Sequence, residues 1–552
     1  MAAEVILGVD IGTTGTKCCA FDARSLRELP ASAYARHGTH VEGGSRIEQC
    51  PEDWAQGLAE CVRGALEQLE AQVGACRVAA LALSGQMQSV LPVGPEGPLR
   101  RAILYSDSRA HEEAEQLEAA LGGRAALERL TGNYKGAPSC LCKLLWLLRN
   151  EPGTLEACAH VHLSAADHLA WRLCGASVTD FTNASVSGLL DPSTLRWLEP
   201  RRLAEAGFEA LARVVAEKLP ALRSAAEVSG GLAAAPAAWL GLPEGTTVVH
   251  GAGDLGSTSV GAAAIAALAL RGPPTGPSPP YAYVGTSGWV ARMAPAFPEA
   301  PGPSLFCVHD PVEPTRCILA APCTCAGGNV ELLARLLPGA PAPEAAEAGR
   351  YAGVDAAAAS TPPGANGLLY LPHISGERCP FRAPDARGAW VGLHAGSTQG
   401  DMHRAVLEGV AFHFRWLLEE LEAGGGWAEA GEAGEGAPPL VLVGGGAKSA
   451  VWREIFAHVL RRRVLWLACG DAACLGAASL GRQALRGRAG GGAEPEAEAE
   501  AEGQDGVLAE PDPELSARYD RLYGVWRKFV ECMQQPFEAL APVVREASAA
   551  AA

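Results

Sequence analysis

The chain has 552 residues, of which 48% are hydrophobic, and a formal net charge of -17. This length favours two or more domains, each with a large core. The negative charge argues against nucleic acid or an anionic membrane as the main partner, since like charges repel. The most apolar stretch, residues 260–270, is too short to cross a bilayer. We therefore expect a soluble, enzyme-sized protein.

The sequence contains 17 cysteines, which follow no metal-ligand spacing. Such scattered cysteines in apolar surroundings predict buried free thiols in a reducing compartment. The first predicted strand begins a few residues after Met1, which leaves no room for a signal or transit peptide. A cytoplasmic location is the resulting expectation.

An apolar strand, a turn of glycine and threonine, and a second apolar strand open the chain over residues 5–22. Glycine lets the backbone approach a ligand closely, while threonine hydroxyls and a lysine attract phosphate oxygens. Asp10 precedes the turn, where its carboxylate could hold Mg²⁺ directly or through water. The hairpin tip therefore predicts a phosphate loop, formed by Gly12, Thr13, Thr14, Thr16 and Lys17.

Three later glycine loops each follow a predicted strand. Residues 251–254 follow a strand predicted at 246–250, and residues 285–288 join two strands in a repeat of the opening hairpin. Residues 444–449 lie between a strand and a helix, an arrangement typical of an anion or nucleotide cradle. Two similar hairpins, each opening one half of the chain, indicate two related domains that face one another.

A dinucleotide-binding fold is an alternative interpretation, because Gly251, Gly253 and Gly256 match the G-x-G-x-x-G pattern. That pattern requires an acidic residue roughly 20 positions later. No acid occurs between Asp254 and Glu299, and proline-rich sequence stands where a crossover helix is required. A P-loop is also disfavoured, because the chain has no G-x-x-x-x-G-K-[ST] sequence.

Asp254 is the most informative residue of its loop. A carboxylate that follows glycine at a strand end is sterically open, so it could accept a proton from a substrate hydroxyl during phosphoryl transfer. A turn-forming or capping aspartate is the alternative. The neighbouring His250 ends a buried strand, and we predict a hydrogen-bonded core residue there.

Six motifs occur in the order found in the FGGY carbohydrate kinases, which the chain resembles from about residue 4 to about residue 485. They cover residues 10–17, 84–88, 251–254, 285–288, 371–388 and 444–449. The resemblance implies an α/β fold with two ribonuclease-H-like domains, of the actin, hexokinase and Hsp70 type, and a cleft between them. We expect the resemblance to resume in a helix at 518–530.

The predicted domains are residues 1–262, on the sugar side, and residues 281–552, on the ATP side, joined by a linker or inserted loop at 263–280. Two Gly/Ala/Glu-rich tracts, 422–439 and 486–508, are expected to be disordered insertions.

The resemblance further implies an ATP-dependent sugar kinase that uses Mg²⁺. It makes Asp254 the general base and Asp10 the metal-associated carboxylate. On physical grounds we expect Glu377 and Arg378 to form an ion pair that braces the cleft, with a direct catalytic role as the alternative. The residues implied on the second phosphate loop are Gly285, Thr286 and Ser287. Those implied on the adenosine side are Gly444, Gly445, Gly446, Ala447 and Ser449. Those implied at the sugar, with Asp254, are Gln86, Met87 and Gln88.

The pair Gln86-Met87 resembles xylulose kinases more than glycerol kinases, which favours a ketopentose and most of all the conversion of D-xylulose to xylulose 5-phosphate. Gln88 stands where histidine is expected, and Leu255 where asparagine often follows the base. Gln88 can still hydrogen-bond to hydroxyls, whereas Leu255 cannot. D-ribulose, another polyol or a sugar acid stay open as substrates. A non-catalytic actin-like ATP-binding protein is a further alternative, and a homodimer is left open.

Overall fold

The computed structural model describes residues 3–134, 136–270, 272, 278–298, 304–336, 352–424, 437–468, 471–488 and 506–551. One mixed sheet forms the framework of the first half of the chain. Its strands are β1 (Ala3–Ile11), β2 (Gly15–Asp22), β3 (Glu28–Arg36), β4 (Cys76–Gly85), β5 (Val228–Gly231) and β6 (Thr247–Gly253). Their order is β5-β6-β4-β1-β2-β3. The strand β1 pairs antiparallel with β2 and parallel with β4, which confirms the predicted opening hairpin.

A second mixed sheet repeats this plan in the other half. Its strands are β7 (Tyr281–Val284), β8 (Gly288–Ala294), β9 (Phe306–His309), β10 (Cys317–Cys323), β11 (Leu440–Val443), β12 (Val464–Trp466) and β13 (Val507–Ala509). Their order is β9-β10-β8-β7-β11-β12-β13. The strand β7 pairs antiparallel with β8 and parallel with β11, as β1 does with β2 and β4. Each sheet therefore contains one hairpin whose first strand also has a parallel neighbour, and further strands extend both sheets by parallel and antiparallel pairing.

Six helices are important for the site and for the contact between the halves. The first begins at Pro51, which suits the first helical turn, and it buries Trp54, Leu58 and Val62 against the first sheet. The six are α1 (Pro51–Gln72), α2 (Asp254–Ala269), α3 (Gln399–Gly424), α4 (Ala450–Leu460), α5 (Ala472–Arg488) and α6 (Pro513–Ala551).

Smaller elements complete the described chain. The other helices are His111–Ala120, Arg124–Thr131, Cys140–Asn150, Pro152–Ala157, Ala165–Cys174, Phe181–Val186, Pro200–Glu205, Glu209–Glu217, Ala234–Leu240, Gly327–Leu336 and Ala352–Ser360, with 3₁₀ turns at Ala365–Gly367 and Gly445–Lys448. The short strands are His40–Glu42, Arg46–Gln49, Leu91–Gly94, Gly97–Pro98, Ala102–Ile103, His160–His162, Val178–Thr179, Leu190–Asp191, Arg196–Trp197, Ala221–Leu222, Leu369–Pro372 and Gly388–Val391.

The two halves meet where α2 and α5 cross with their backbones in contact. A Cβ atom placed on Gly261 of α2 would lie 1.9 Å from the carbonyl oxygen of Ala472, and one on Gly476 of α5 would lie 1.8 Å from that of Ser257. The same helix α5 also approaches β1, since a Cβ on Gly8 would lie 2.1 Å from the carbonyl oxygen of Cys474. Glycine is required at this crossing because no side chain fits there.

Several local predictions are wrong. The helix α2 continues to Ala269, so the predicted linker at 263–280 starts inside a helix. A helix therefore does follow the glycine loop at 251–254, where the sequence analysis expected none. Residues 422–424 complete α3, residues 486–488 complete α5, and residues 507–508 belong to β13. Of the rest of the two predicted insertions, residues 437–439 and 506 belong to no helix or strand, and residues 425–436 and 489–505 lie outside the described residues. The helix expected at 518–530 is part of α6.

Two further expectations can be compared with the described residues. The cysteines there are free thiols, and most of them are buried, as predicted. None of the described helices combines the length and apolarity that a membrane span needs.

Candidate active site

Asp10 lies near the end of β1, beside the neighbouring strand β4. The hydroxyl of Ser84 donates a hydrogen bond of 2.9 Å to the Asp10 carboxylate. Burial and the nearby carboxylates of Asp471 and Asp254 raise the pKa of Asp10 to about 7, although the Ser84 hydrogen bond and the Lys17 ammonium oppose this shift. Carboxylates that repel one another in this way attract a divalent cation.

Asp254 is the first residue of α2, directly after Gly253 ends β6. Its carboxylate accepts a hydrogen bond of 2.7 Å from the backbone N–H of Leu255. Burial raises the pKa of Asp254 to about 6. A carboxylate whose pKa lies near neutrality suits a general base, because it is ionised at neutral pH and still holds a proton well.

Two glutamine side chains hold the tip of the first hairpin through hydrogen bonds to Thr13. The Thr13 hydroxyl donates to the side-chain oxygen of Gln86 at 3.3 Å, and the side-chain amide of Gln49 donates to the Thr13 backbone oxygen at 2.6 Å. Thr14 is exposed, and Gly12 and Thr13 are partly exposed. These three residues are therefore open to a ligand.

Thr16 differs from the prediction that placed it on the phosphate loop. Its side chain is fully buried, and a Cβ on Gly57 of α1 would lie 3.0 Å from its hydroxyl oxygen. The Thr16 hydroxyl thus faces α1, because alternate side chains of a strand point to opposite faces. We exclude this hydroxyl from the phosphate loop.

Lys17 and Asp471 connect the first hairpin to α5. The Lys17 ammonium lies 2.9 Å from the Asp471 carboxylate. The other oxygen of that carboxylate accepts a hydrogen bond of 2.8 Å from the backbone N–H of Ala473, at the start of α5. Sequence analysis did not identify Asp471, since no motif surrounds it.

Residues 86–88 follow β4, and Met87 reaches Gly253, the residue before Asp254. Gln86 is 1% exposed, and its amide donates to Gln49 at 2.6 Å, so it supports the hairpin instead of presenting its side chain to a ligand. Met87 covers Gly253, where a Cβ atom would lie 2.4 Å from the Met87 side chain. Met87 is therefore the residue of the three that these contacts bring next to the predicted base.

Gln88 has a left-handed backbone with φ of 60°. The ammonium of Lys143 donates to its backbone oxygen at 3.4 Å and to that of Leu104 at 2.6 Å. The Gln88 side-chain nitrogen is buried and has no hydrogen-bond partner among the described residues. A buried amide without a partner is suited to bind a sugar hydroxyl.

Two more polar residues, which sequence analysis left without a role, reach the loop before Asp254. Asp180 accepts hydrogen bonds from the Gly253 backbone N–H at 3.2 Å and from the Asn183 amide at 2.7 Å. The Asn183 side-chain oxygen is buried and lacks a partner in the described part of the chain. Asp180 caps the helix Phe181–Val186, and a capping aspartate before a helix can be recognised from sequence.

The second hairpin and the late glycine loop are adjacent. The Gly285 N–H donates to the Ser287 carbonyl at 3.0 Å, which shapes the hairpin turn, and Thr286 at its tip is exposed. A Cβ on Gly444 would lie 2.7 Å from the Val284 carbonyl oxygen, whereas one on Gly445 would meet nothing within 4 Å. The loop thus packs on the hairpin at one glycine and is open at the next.

Ala447 and Ser449 have structural partners. The Ala447 carbonyl accepts a hydrogen bond of 2.6 Å from Arg453. The Ser449 hydroxyl accepts from the Trp452 N–H at 3.2 Å, capping α4, and donates to Asp355 at 2.9 Å. These contacts hold the loop that carries Gly444, Gly445 and Gly446.

The expected ion pair between Glu377 and Arg378 is absent from the ion pairs of the described residues. Instead, the Glu377 carboxylate lies 3.5 Å from a nitrogen of His373 and 3.2 Å from one of His413. Consecutive residues direct their side chains differently, so Arg378 supplies only its backbone N–H, at 2.9 Å. The interpretation of His250 is confirmed, since it is buried and lies 2.9 Å from the Ser229 hydroxyl.

Comparisons with known proteins agree with this geometry. The models of the N-terminal and C-terminal domains of the FGGY family of carbohydrate kinases match residues 5–261 and 281–485. The xylulose kinase of Streptomyces coelicolor is 30% identical over 86% of this chain and 87% of its own length. That of Escherichia coli is 28% identical over 86% of this chain and 89% of its own.

A solved structure of xylulose kinase from Rhodospirillum rubrum is similar with a TM-score of 0.74 and 28% identity, covering 97% of this chain and all of that one. This similarity confirms the predicted pair of ribonuclease-H-like domains. The chain belongs to the FGGY family of carbohydrate kinases.

Proposed function

We propose that the protein transfers the terminal phosphoryl group of ATP to a primary hydroxyl of D-xylulose and releases xylulose 5-phosphate. The observation that carries this proposal is the position of Asp254, a carboxylate of near-neutral pKa at the start of α2, beside Met87. The curated relatives named xylulose kinase support a ketopentose as the acceptor.

Asp254 acts as the general base. Its carboxylate takes the proton of the sugar hydroxyl as that oxygen attacks the terminal phosphorus. The hydrogen bond from the Leu255 N–H occupies one carboxylate oxygen and leaves the other for the substrate. The backbone around Asp254 is fixed by Asp180 through Gly253, which keeps the base in position.

Met87 and Gln88 form the sugar side of the site, and Gln86 positions them. The unpaired Gln88 amide supplies a hydrogen bond to a sugar hydroxyl, and Asn183 provides a second buried group of this kind. Leu255 is an apolar side chain, 8% exposed, and contributes no polar contact. Its presence makes D-ribulose the most useful comparison substrate, since the two sugars differ only in the configuration of a hydroxyl.

The phosphates of ATP bind between the two hairpins. Gly12, Thr13, Thr14 and Lys17 approach from the first, while Gly285, Thr286 and Ser287 approach from the second. The adenosine portion lies along Gly444, Gly445 and Gly446, where the open face of Gly445 leaves room for it. Backbone N–H groups and a lysine are suited to this anionic ligand.

Mg²⁺ fits the oxygen donors present. Asp10 would hold the ion directly or through water, with Asp471 nearby, because these carboxylates raise the pKa of Asp10 in the absence of a cation. When bound, the ion offsets the negative charge of the ATP phosphates. Asp10 and Lys17 then keep the hairpin in place while Asp254 accepts the proton of the sugar hydroxyl.

A coupled ADP-release assay tests this proposal. Mg-ATP is supplied with D-xylulose, D-ribulose, other ketoses, glycerol and gluconate, and Asp254→Asn is measured in parallel. We expect turnover with D-xylulose and a decrease in kcat on the order of 10²-fold or more in the variant, with ATP binding unchanged. If only another sugar of the panel is turned over, that sugar replaces D-xylulose as the proposed substrate. ATP binding without stimulation by any sugar would favour a non-catalytic ATP-binding protein.

A further inference from the structure

Two histidines and one glutamate form a buried cluster apart from the residues assigned to catalysis. His373 follows the strand Leu369–Pro372, Glu377 lies four residues later, and His413 projects from the middle of α3. Each of the three side chains is only 1% exposed. Phe381 and Trp526 lie against the His373 ring, so the cluster is enclosed by aromatic side chains.

The potential ligand atoms of this cluster converge. Oε2 of Glu377 lies 3.5 Å from Nδ1 of His373 and 3.2 Å from Nε2 of His413, and all three atoms lie within 4.8 Å of one another. In a tetrahedral site with bonds of about 2.0 to 2.1 Å, neighbouring ligand atoms are roughly 3.3 Å apart. The two distances from Glu377 agree with that separation.

None of these three atoms forms a hydrogen bond of acceptable geometry within the described residues. Buried polar atoms are nearly always paired, so three unpaired atoms that face one another need a shared partner. A buried carboxylate is also unfavourable unless a positive charge joins it. A metal ion supplies both the partner and the charge.

The rest of Glu377 is held in an orientation that directs Oε2 at the histidines. Its other oxygen, Oε1, accepts hydrogen bonds from the Thr324 backbone N–H at 3.0 Å, from the Thr324 hydroxyl at 3.2 Å and from the Arg378 N–H at 2.9 Å. Supporting hydrogen bonds of this kind orient carboxylate ligands in metal sites.

We propose that His373, Glu377 and His413 bind a divalent transition-metal ion, with zinc as the best match. Two imidazole nitrogens and one carboxylate oxygen are a usual ligand set for zinc, whereas Mg²⁺ prefers oxygen ligands. The site is therefore chemically different from the carboxylates around Asp10. Its ion has a structural role, since its ligands join the region after the strand Leu369–Pro372 to α3.

The ion also stabilises the support of the second hairpin. Thr324, which hydrogen-bonds to Glu377, lies two residues before Ala326, whose N–H donates to the Thr286 carbonyl at 2.8 Å. The N–H of Gly328 donates to the same carbonyl at 3.0 Å. Loss of the ion therefore loosens this hairpin as well as the cluster.

Metal content of the full-length chain is the test. After incubation with Zn²⁺ and removal of unbound metal, we expect close to one zinc per chain by mass spectrometry. Replacement by Co²⁺ should give the strong visible absorption of a tetrahedral site. Removal of the metal by a chelator should lower Tm by about 5 °C or more, and Zn²⁺ but not Mg²⁺ should restore it.

The informative variant is Glu377→Gln, which keeps the size of the side chain and an oxygen that can accept from Thr324. It should bind zinc at least tenfold more weakly. His403→Gln, at a buried histidine of the same helix α3 outside the cluster, is the matched control and should retain the metal.

Three results would overturn the proposal. The first is wild-type protein that retains no zinc and shows no cobalt absorption, and the second is zinc retained equally by Glu377→Gln. The third is a Tm that does not respond to metal removal. If Glu377→Gln does not fold, the wild-type metal content, cobalt spectrum and chelator response still decide the question.

Discussion

The ammonium of Lys17 lies 2.9 Å from the carboxylate of Asp471, although the two residues are 454 positions apart in the sequence. Lys17 belongs to the first hairpin, and Asp471 precedes α5 of the other half. Because the Asp471 carboxylate also raises the pKa of Asp10, this ion pair connects the two halves at the predicted metal ligand.

Replacing Asp471 tests this connection. In Asp471→Asn, Asp10 loses a neighbouring negative charge, and Lys17 loses its partner, so the pKa of Asp10 should fall. We expect the acidic limb of kcat/KM for Mg-ATP to move to lower pH and KM for Mg-ATP to rise severalfold. Asp520→Asn, which removes one of the two carboxylates paired with Arg415, is the control and should leave the limb unmoved. If the acidic limb does not move in Asp471→Asn, the charge of Asp471 does not influence the pKa of Asp10.

The wild-type pH profile should report the predicted base. Burial raises the pKa of Asp254 to about 6, so the carboxylate becomes protonated and inactive as pH falls through this value. We expect kcat/KM for the sugar to decrease about tenfold for each pH unit below about 6. A profile flat between pH 5 and 7 would argue against this assignment.

Stability should depend on pH in the opposite sense from that of an ordinary ion-paired aspartate. The pKa of Asp10 is about 7 in the folded state, above its unfolded value, so the folded protein binds more protons between those values. The free energy of unfolding contributed by Asp10 therefore falls as pH rises toward 7. Asp10→Asn should gain stability relative to wild type at pH 8 compared with pH 5, as measured by urea unfolding without Mg²⁺ or nucleotide. An equal difference at both pH values would contradict this.

Gln88 should affect the sugar more than the nucleotide. Gln88→Ala removes the unpaired amide, so we expect KM for the sugar to rise about tenfold and KM for ATP to change little. The matched control is Gln68→Ala, since Gln68 bonds only to the Ser32 backbone at the surface among the described residues. A larger effect on ATP would place Gln88 outside the sugar pocket.

The crossing of α2 and α5 should not tolerate a methyl group. Gly261→Ala places an atom 1.9 Å from the Ala472 carbonyl oxygen, which we expect to lower the free energy of unfolding by about 3 kcal/mol or more. Gly487→Ala, near the end of the partner helix α5 and away from the crossing, meets nothing within 4 Å and should change stability by less than about 1 kcal/mol. Chemical denaturation compares the two, and equal effects would show that the crossing accommodates side chains.

Sequence predicted those parts of the molecule whose signals are local. Apolar runs on either side of glycine turns identified both hairpins, and Pro51 with its following acids identified α1. Asp471 was missed because its partner Lys17 is distant in sequence and no motif marks it. The partner of Glu377 was wrong for the same reason, since adjacency to Arg378 in the chain gives no information about the approach of His413 from α3.

Backbone contact between α2 and α5 also limits how the enzyme can evolve. At Gly261 and Gly476 there is no room for any side chain, so substitutions at these two positions cannot adjust how the two halves pack against each other. Descendants of this sequence that differ in this packing would therefore have to change residues farther from the crossing, such as the pair Lys17 and Asp471.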